Sequence, residues 1–195
     1  DRGYGPVGTF TLIRDMVQAG VAKLVRGNHD DKLFRYGCGR KIIQNHGLDK
    51  TIIKLEEAGI EKEEITEFFK TIPYYFAYED LIVTHAAWHK GMELLSPFDK
   101  RCRTFCLYGP TTGKTLPDGL PDRIDWAITR KETTPIVVYG HQPYKEPRII
   151  NGTYGIDTGC VFGGMLTSIN IPSMKITQVK SLNVYDTSKP DIGGQ

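Results

Sequence analysis

The sequence predicts an α/β protein built as two packed mixed β-sheets flanked by helices. Three observations carry the prediction. Amphipathic helical stretches alternate with short apolar runs through the first half of the chain. Leu81-Ile82-Val83-Thr84 and Ile136-Val137-Val138-Tyr139 are uninterrupted apolar runs of the length expected for buried strands. Beyond Tyr154, three strand-like segments follow one another with only short turns between them. A chain of 195 residues with 39% apolar content has the material for one core, one domain or slightly more.

The elements follow in order. Pro6 to Gly20 reads as a helix: Pro suits its first turn, Phe10, Ile13 and Val17 with neighbours Leu12 and Met16 repeat at helical spacing, and Gly20 is a stop signal. Val21 to Val25 reads as a short strand, and Arg26-Gly27-Asn28-His29-Asp30 as the loop after it. A helix is expected after Asn45-His46-Gly47-Leu48-Asp49, running through Leu55, and a second over Lys62 to Lys70. Leu81 to Thr84 is a strand ending at His85, and Ile136 to Tyr139 a strand ending at Gly140-His141. Tyr154 to Asp157, Met165 to Ile171 and Met174 to Val179 close the sheets. From Ser181 the composition turns polar and rich in breakers, so the domain is expected over residues 1–180, with 181–195 a tail or linker.

Composition excludes several classes. The formal charge of +2 is too balanced to predict a nucleic-acid protein. No apolar run reaches the roughly 20 residues of a membrane helix, and no signal peptide is visible. The four cysteines form no C-x-x-C pair, which fits a reduced, cytoplasmic protein without a zinc finger. Two basic clusters stand out, Arg35, Arg40 and Lys41, then Lys100-Arg101-Cys102-Arg103. Each reads either as solvated surface or as an entry rim for a phosphorylated substrate.

The run Gly109 to Thr115 imitates a P-loop, with Gly113-Lys114-Thr115 at its end. Only three residues separate its glycines where four are required, and turn formers rather than a helix follow. It reads as a surface loop carrying an exposed lysine.

Chemistry gathers elsewhere. Asn28 and His29 follow "KLVRG", His85 follows "LIVT", and His141 follows "VVYG". Functional groups of open α/β sheets collect at the carboxyl ends of strands. A lone histidine at a strand end is more often structural, but Asn28, His85 and His141 together make an O/N donor set suited to Mn²⁺, Fe or Zn²⁺. His46 reads as a residue orienting a loop and His89 as exposed.

At this point a resemblance becomes specific. "DRG" at 1–3, "GNHD" at 27–30, "THA" at 84–86 and "GH" at 140–141 occur in the order of the motifs of the calcineurin-like metallophosphoesterase superfamily. "NHGL", "LYGPTTGKTLPDGLP", "DWA", "VVYGH" and "IDTGCVFGG" resemble its bacterial branch, which holds the phosphatase domain of polynucleotide kinase-phosphatases and related diadenosine tetraphosphatases. Lys114 stands where that branch usually has an acid.

The resemblance implies a phosphoesterase acting on esters or anhydrides of a nucleotide-type substrate: a phosphorylated small molecule, a nucleotide or a polynucleotide end. It implies two divalent ions, Mn²⁺ first, with Fe, Ni or Zn as alternatives. Asn28, His85 and His141 would be metal ligands. Arg2 would hold the phosphate, His29 would protonate the leaving oxygen, and Asp1 would orient His29. Asp157 either steadies His141 or is simply a turn residue. The remaining ligands, a D-x-H pair and a bridging Asp, are expected upstream of residue 1, with kinase or ligase domains as conceivable neighbours. Two alternatives stay open: a protein Ser/Thr-type phosphatase, and a non-catalytic fragment of the same fold that binds phosphates or a partner.

Overall fold

The computed structural model describes residues 2–117 and 119–193. The first half is helical. α1 (Pro6–Gln18) has Pro at its first position and ends before Gly20, whose φ of 73° lets the chain turn back. Phe10, Ile13 and Val17 face the core as expected, whereas Leu12 and Met16 are 60% and 37% exposed, because they lie off that stripe. α2 (Asn28–Gly37), α3 (Leu48–Glu57) and α4 (Lys62–Lys70) pack with it around Leu33, Leu48, Leu55, Ile65 and Phe69.

Two expectations fail in this half. Val21 to Val25 forms no strand; Arg26 donates its amide to the Pro73 carbonyl, but no ladder forms. Asn28-His29-Asp30 is not a loop but the first turn of α2. Asp30 supplies the reason: its carboxylate accepts the Gly27 amide at 2.8 Å, the return half of a capping box.

The second half is mostly strands. β1 (Tyr75–Tyr78) and β2 (Leu81–Thr84) form a hairpin. α5 (Lys100–Tyr108) follows, capped at its start by the Asp99 carboxylate. β3 (Thr111–Thr115) and β4 (Pro121–Arg123) make a small ribbon, then comes α6 (Trp126–Thr129). β3 is exposed along its whole length and no helix follows Lys114, so the P-loop imitation is a surface ribbon, as the spacing predicts. β5 (Ile136–Tyr139), β6 (Arg148–Ile150) and β7 (Thr153–Gly155) join the hairpin in a five-stranded mixed sheet of order β1-β2-β5-β7-β6. Its interior pairs, β2 with β5 and β5 with β7, are parallel; its edges are antiparallel.

β8 (Asp157–Thr158), β9 (Met165–Asn170) and β10 (Lys175–Lys180) form a second sheet with antiparallel ladders. Only Ile156 separates β7 in one sheet from β8 in the other. Residues of both sheets, among them Val83, Val138, Met165 and Thr167, line a groove of about 330 Å³. A last helical turn, α7 (Pro190–Gly193), follows a segment in which Tyr185 and Asp186 donate amides to the Val161 carbonyl. The α/β class with helix-flanked sheets is therefore as predicted. Among the described residues no helix is long and apolar enough to cross a membrane.

Two apolar clusters result. One is helical; the other gathers Tyr75, Ile82, Trp88, Met92, Leu107 and Val137 between α5 and the large sheet. A buried ion pair links the elements that carry them. Asp31 of α2, 2% exposed, receives a two-pronged contact from Arg103 of α5, with Nε to Oδ1 at 3.0 Å and Nη2 to Oδ2 at 2.5 Å. Arg26 stands behind it, 4.0 Å from Asp31, with Phe34 and Tyr74 against its guanidinium. Removing one member of a buried pair strands the other in low dielectric. Arg103→Ala is therefore expected to lower unfolding free energy in a urea titration by about 3 kcal/mol, the low end for such pairs because Arg26 remains.

The thiols give a second test. Burial pushes the Cys106 thiol up to about 12, and raises that of Cys102; neither side chain is exposed. Cys38 is exposed. Since the thiolate is the reactive form, a chromogenic disulfide reagent at pH 8 should modify Cys38 rapidly and reach Cys102 and Cys106 only after denaturation.

Candidate active site

The site is assembled where α2 meets the ends of two parallel strands. Gly27 permits the approach. A Cβ on it would lie 3.1 Å from His85 Nδ1 and 3.1 Å from Asp30 Oδ2, closer than side chains normally pack. With no side chain there, Asn28 reaches His85: Asn28 Oδ1 is 2.9 Å from His85 Nε2. His85 Nε2 is in turn 3.0 Å from His141 Nδ1, the rings crossing edge to face at 4.9 Å. These are the three residues singled out as metal ligands, and the fold brings all of them to one point.

Backbone contacts hold the arrangement. The His85 carbonyl accepts the Gly140 amide at 2.9 Å, tying the end of β2 to the end of β5. Ala86 donates to the Cys106 carbonyl of α5 at 2.8 Å. His141 has φ of 72°, the left-handed region that non-glycine residues avoid. The His141 amide favours the charged form of the Asp157 carboxylate, which accepts the Gly159 amide at 3.1 Å. Asp157 thus borders the unusual His141 backbone and also closes the turn to Gly159, so both of its expected roles stay open. Burial raises its pKa, and these amides oppose the rise.

The electrostatics favour neutral imidazoles. Burial, then nearby His29 and Arg123, lowers His85 to about 4. Burial, then His85 and Arg123, lowers His141 to about 3. Each therefore keeps a nitrogen lone pair at neutral pH. Among the described residues no group of three or more His, Cys, Asp or Glu side chains is arranged to hold a metal ion. The convergent trio counts an amide oxygen in place of a carboxylate, and an amide oxygen with two neutral imidazoles fits a divalent transition metal.

His29 sits beside this trio. Burial, then Arg2 and Lys32, lowers it to about 4, and its ring lies 6.5 Å from that of His46. His46 is exposed, with φ of 55°, and His89 is exposed as expected. Arg2 is tied down rather than frayed: Nε donates to the His46 carbonyl at 3.2 Å, pairs with Asp186 at 3.2 Å, and the guanidinium faces Phe162. Asp1 lies outside the described residues.

Sequence reasoning missed Arg123 and Tyr108. The Tyr108 ring stands edge-on to His141 at 6.2 Å, and Arg123 donates to the Tyr108 carbonyl. Arg123 is part-buried, and its charge acts on both His85 and His141. Both residues line a small cavity with Ala86, Trp126 and Tyr139. The only sequence signal was proximity: Tyr108 immediately precedes the P-loop imitation, and Arg123 stands two residues before Asp125 of "DWA".

Strand-end histidines, a helix-borne asparagine and helix-flanked sheets define a phosphoesterase-type α/β site. Comparisons with known proteins agree. The chain is 41% identical over 188 residues to bis(5'-nucleosyl)-tetraphosphatase PrpE (asymmetrical) of Halalkalibacterium halodurans, covering 93% of this chain and 75% of that protein. It is 37% identical over 196 residues to the protein of the same name from Bacillus subtilis, covering 97% and 79%. A crystal structure of a candidate diadenosine tetraphosphatase superposes with TM-score 0.60 at 22% identity, over 89% of this chain and 74% of that one, and so shares the fold. No protein-family profile matches the chain. The chain belongs to the bis(5'-nucleosyl)-tetraphosphatase PrpE family, consistent with the calcineurin-like metallophosphoesterase resemblance of its motifs. These relatives lend no support to flanking kinase or ligase domains.

Gly27 offers a direct check of the packing argument. Gly27→Ala should cost about 1–3 kcal/mol by overpacking, since the His85 ring or the Asp30 carboxylate must give way. Chemical denaturation measures it, with exposed Gly3→Ala, whose backbone is not left-handed and whose added Cβ meets nothing within 4 Å, as the comparison.

Proposed function

We propose that the chain hydrolyses the phosphate anhydride of a bis(5'-nucleosyl) tetraphosphate at the Asn28–His85–His141 cluster. The observation that carries this reading is the convergence of Asn28 Oδ1, at 2.9 Å, and His141 Nδ1, at 3.0 Å, on His85 Nε2, in a chain 41% identical to a named tetraphosphatase. Asn28 Oδ1, His85 Nε2 and His141 Nδ1 would hold a divalent ion, with Mn²⁺ first and Fe, Ni or Zn as alternatives, and a second ion would need donors beyond these. Such an ion supplies positive charge to phosphoryl oxygens and makes water more acidic.

The protein's own groups do the rest. Arg123 and Arg2 bring guanidinium charge to the phosphoryl oxygens, for which a planar fork is suited. His29 faces the leaving oxygen. Its ring is neutral in the free protein, and an arriving polyanion raises its affinity for a proton, so it donates a hydrogen bond or a proton as the leaving nucleotide departs. Asp157 holds the His141 backbone in place. Burial of the cluster excludes water from all but the open face.

The test joins metal content to turnover. With Mn²⁺, the protein carrying the D-x-H and bridging-Asp motifs expected ahead of residue 1 should release nucleoside triphosphate from diadenosine tetraphosphate. His85→Ala and His141→Ala should lose both activity and bound metal by elemental analysis. His29→Ala should keep its metal and lose kcat, most severely on substrates with poor leaving groups. A His141→Ala protein that retains full metal and full turnover would falsify the ligand assignment.

A further inference from the structure

We propose that Lys32 and Arg35 of α2 form a subsite for the polyphosphate chain beyond the phosphoryl group seated at the Asn28–His85–His141 cluster. The inference rests on the proposed function and deepens it. It begins with helix geometry. Asn28, Lys32 and Arg35 are spaced i, i+4 and i+7, so they share one face of α2. That face starts at the cluster, because Asn28 Oδ1 contacts His85. The opposite face carries Leu33 into the helical core.

The charges of α2 are unevenly spent. Asp30 accepts the Gly27 amide, and Asp31 holds Arg103. Neither acid serves Lys32 or Arg35. Lys32 Nζ donates at 3.0 Å to the neutral side chain of Asn45, and among the described residues no carboxylate pairs with Lys32 or Arg35. Arg2 stands on the same side, bonded to the carbonyl of His46, the next residue along. Burial, then the charges of Arg2 and Arg35, lowers the Lys32 pKa. The charge of Arg35 also reaches Tyr108, whose ring edges His141.

Arg2 is met by Asp186, but Lys32 and Arg35 have no carboxylate partner among the described residues, and a bound polyanion relieves the repulsion between them. A phosphate monoester brings only the group that reacts. A tetraphosphate brings further phosphates, whose oxygens match ammonium and guanidinium donors. Lys32 and Arg35 would thus favour a polyphosphate over a simple ester, without touching the bond that breaks. The bland alternative is that Arg35 merely complements the carboxyl end of α2.

Calorimetric titration with inorganic tripolyphosphate and with orthophosphate, in excess divalent metal, separates these readings. For the Lys32→Gln/Arg35→Gln protein, tripolyphosphate affinity should fall on the order of tenfold or more, as loss of charge-assisted contacts implies, while orthophosphate stays within about twofold. Equal weakening of both ligands, or of neither, overturns the subsite. Lower thermal stability with unchanged binding assigns the residues to the helix end and also overturns it. The Lys32→Gln single variant, which leaves the helix end intact, should show part of the selective loss. The parent reading fails separately: it falls if the protein carrying the upstream D-x-H and bridging-Asp motifs binds tripolyphosphate selectively but releases no nucleoside triphosphate from diadenosine tetraphosphate.

Discussion

The contact between Arg103 and Asp31 is the constraint on which the site depends. The helical half and the sheet half have separate apolar clusters, and nonpolar packing alone would leave their relative placement loosely specified. A fork of two charge-assisted bonds has direction as well as strength. It fixes the first turn of α2 against α5. The same helix α5 receives the Ala86 amide, next to His85. One helix thereby registers both sides of the Asn28–His85 contact. The buried carboxylate costs desolvation, and the geometry around it repays that cost by precision rather than by net stability.

Within that frame, burial and neutral donors go together. Three imidazoles, His29, His85 and His141, lie near cations and under cover, and each is held uncharged. A cluster of protonated rings at these separations would push itself apart. Neutral rings can share one point, and the arginines around them keep the positive charge for an incoming anion. The left-handed backbone at His141 lies beside the Asp157 carboxylate, whose charged form its amide favours.

Much of this was legible in the sequence. Leu81–Thr84 and Ile136–Tyr139 stand where their apolar runs placed them, and Lys62–Lys70 matches its periodic pattern residue for residue. The convergence of His85 and His141 followed from strand ends, and that of Asn28 from motif order, since the strand expected before it does not form. Other parts were hidden for physical reasons. Val21–Val25 has the composition of a strand, but strands need partners and composition does not supply them. The first turn of α2 was read as a loop because its cap is a glycine, and the capping acid lies three residues inside. α5 escaped notice because the Lys100–Arg103 cluster opens it, and a basic run reads as surface. Arg123 was invisible because its importance comes from a fold that sets it beside His141, far along the chain.

The passage from β7 to β8 occupies a single residue, Ile156. Its amide is already engaged with the Tyr139 carbonyl, so the crossing has no slack. A residue inserted there would turn Asp157 to the opposite side of the strand and take its carboxylate away from the His141 amide. β3 faces no such limit, since it is exposed along its whole length, whereas β4 carries the part-buried Arg123. Length variation in this family should therefore be sharply uneven: generous at β3, and close to forbidden at the seam where the chain changes sheets.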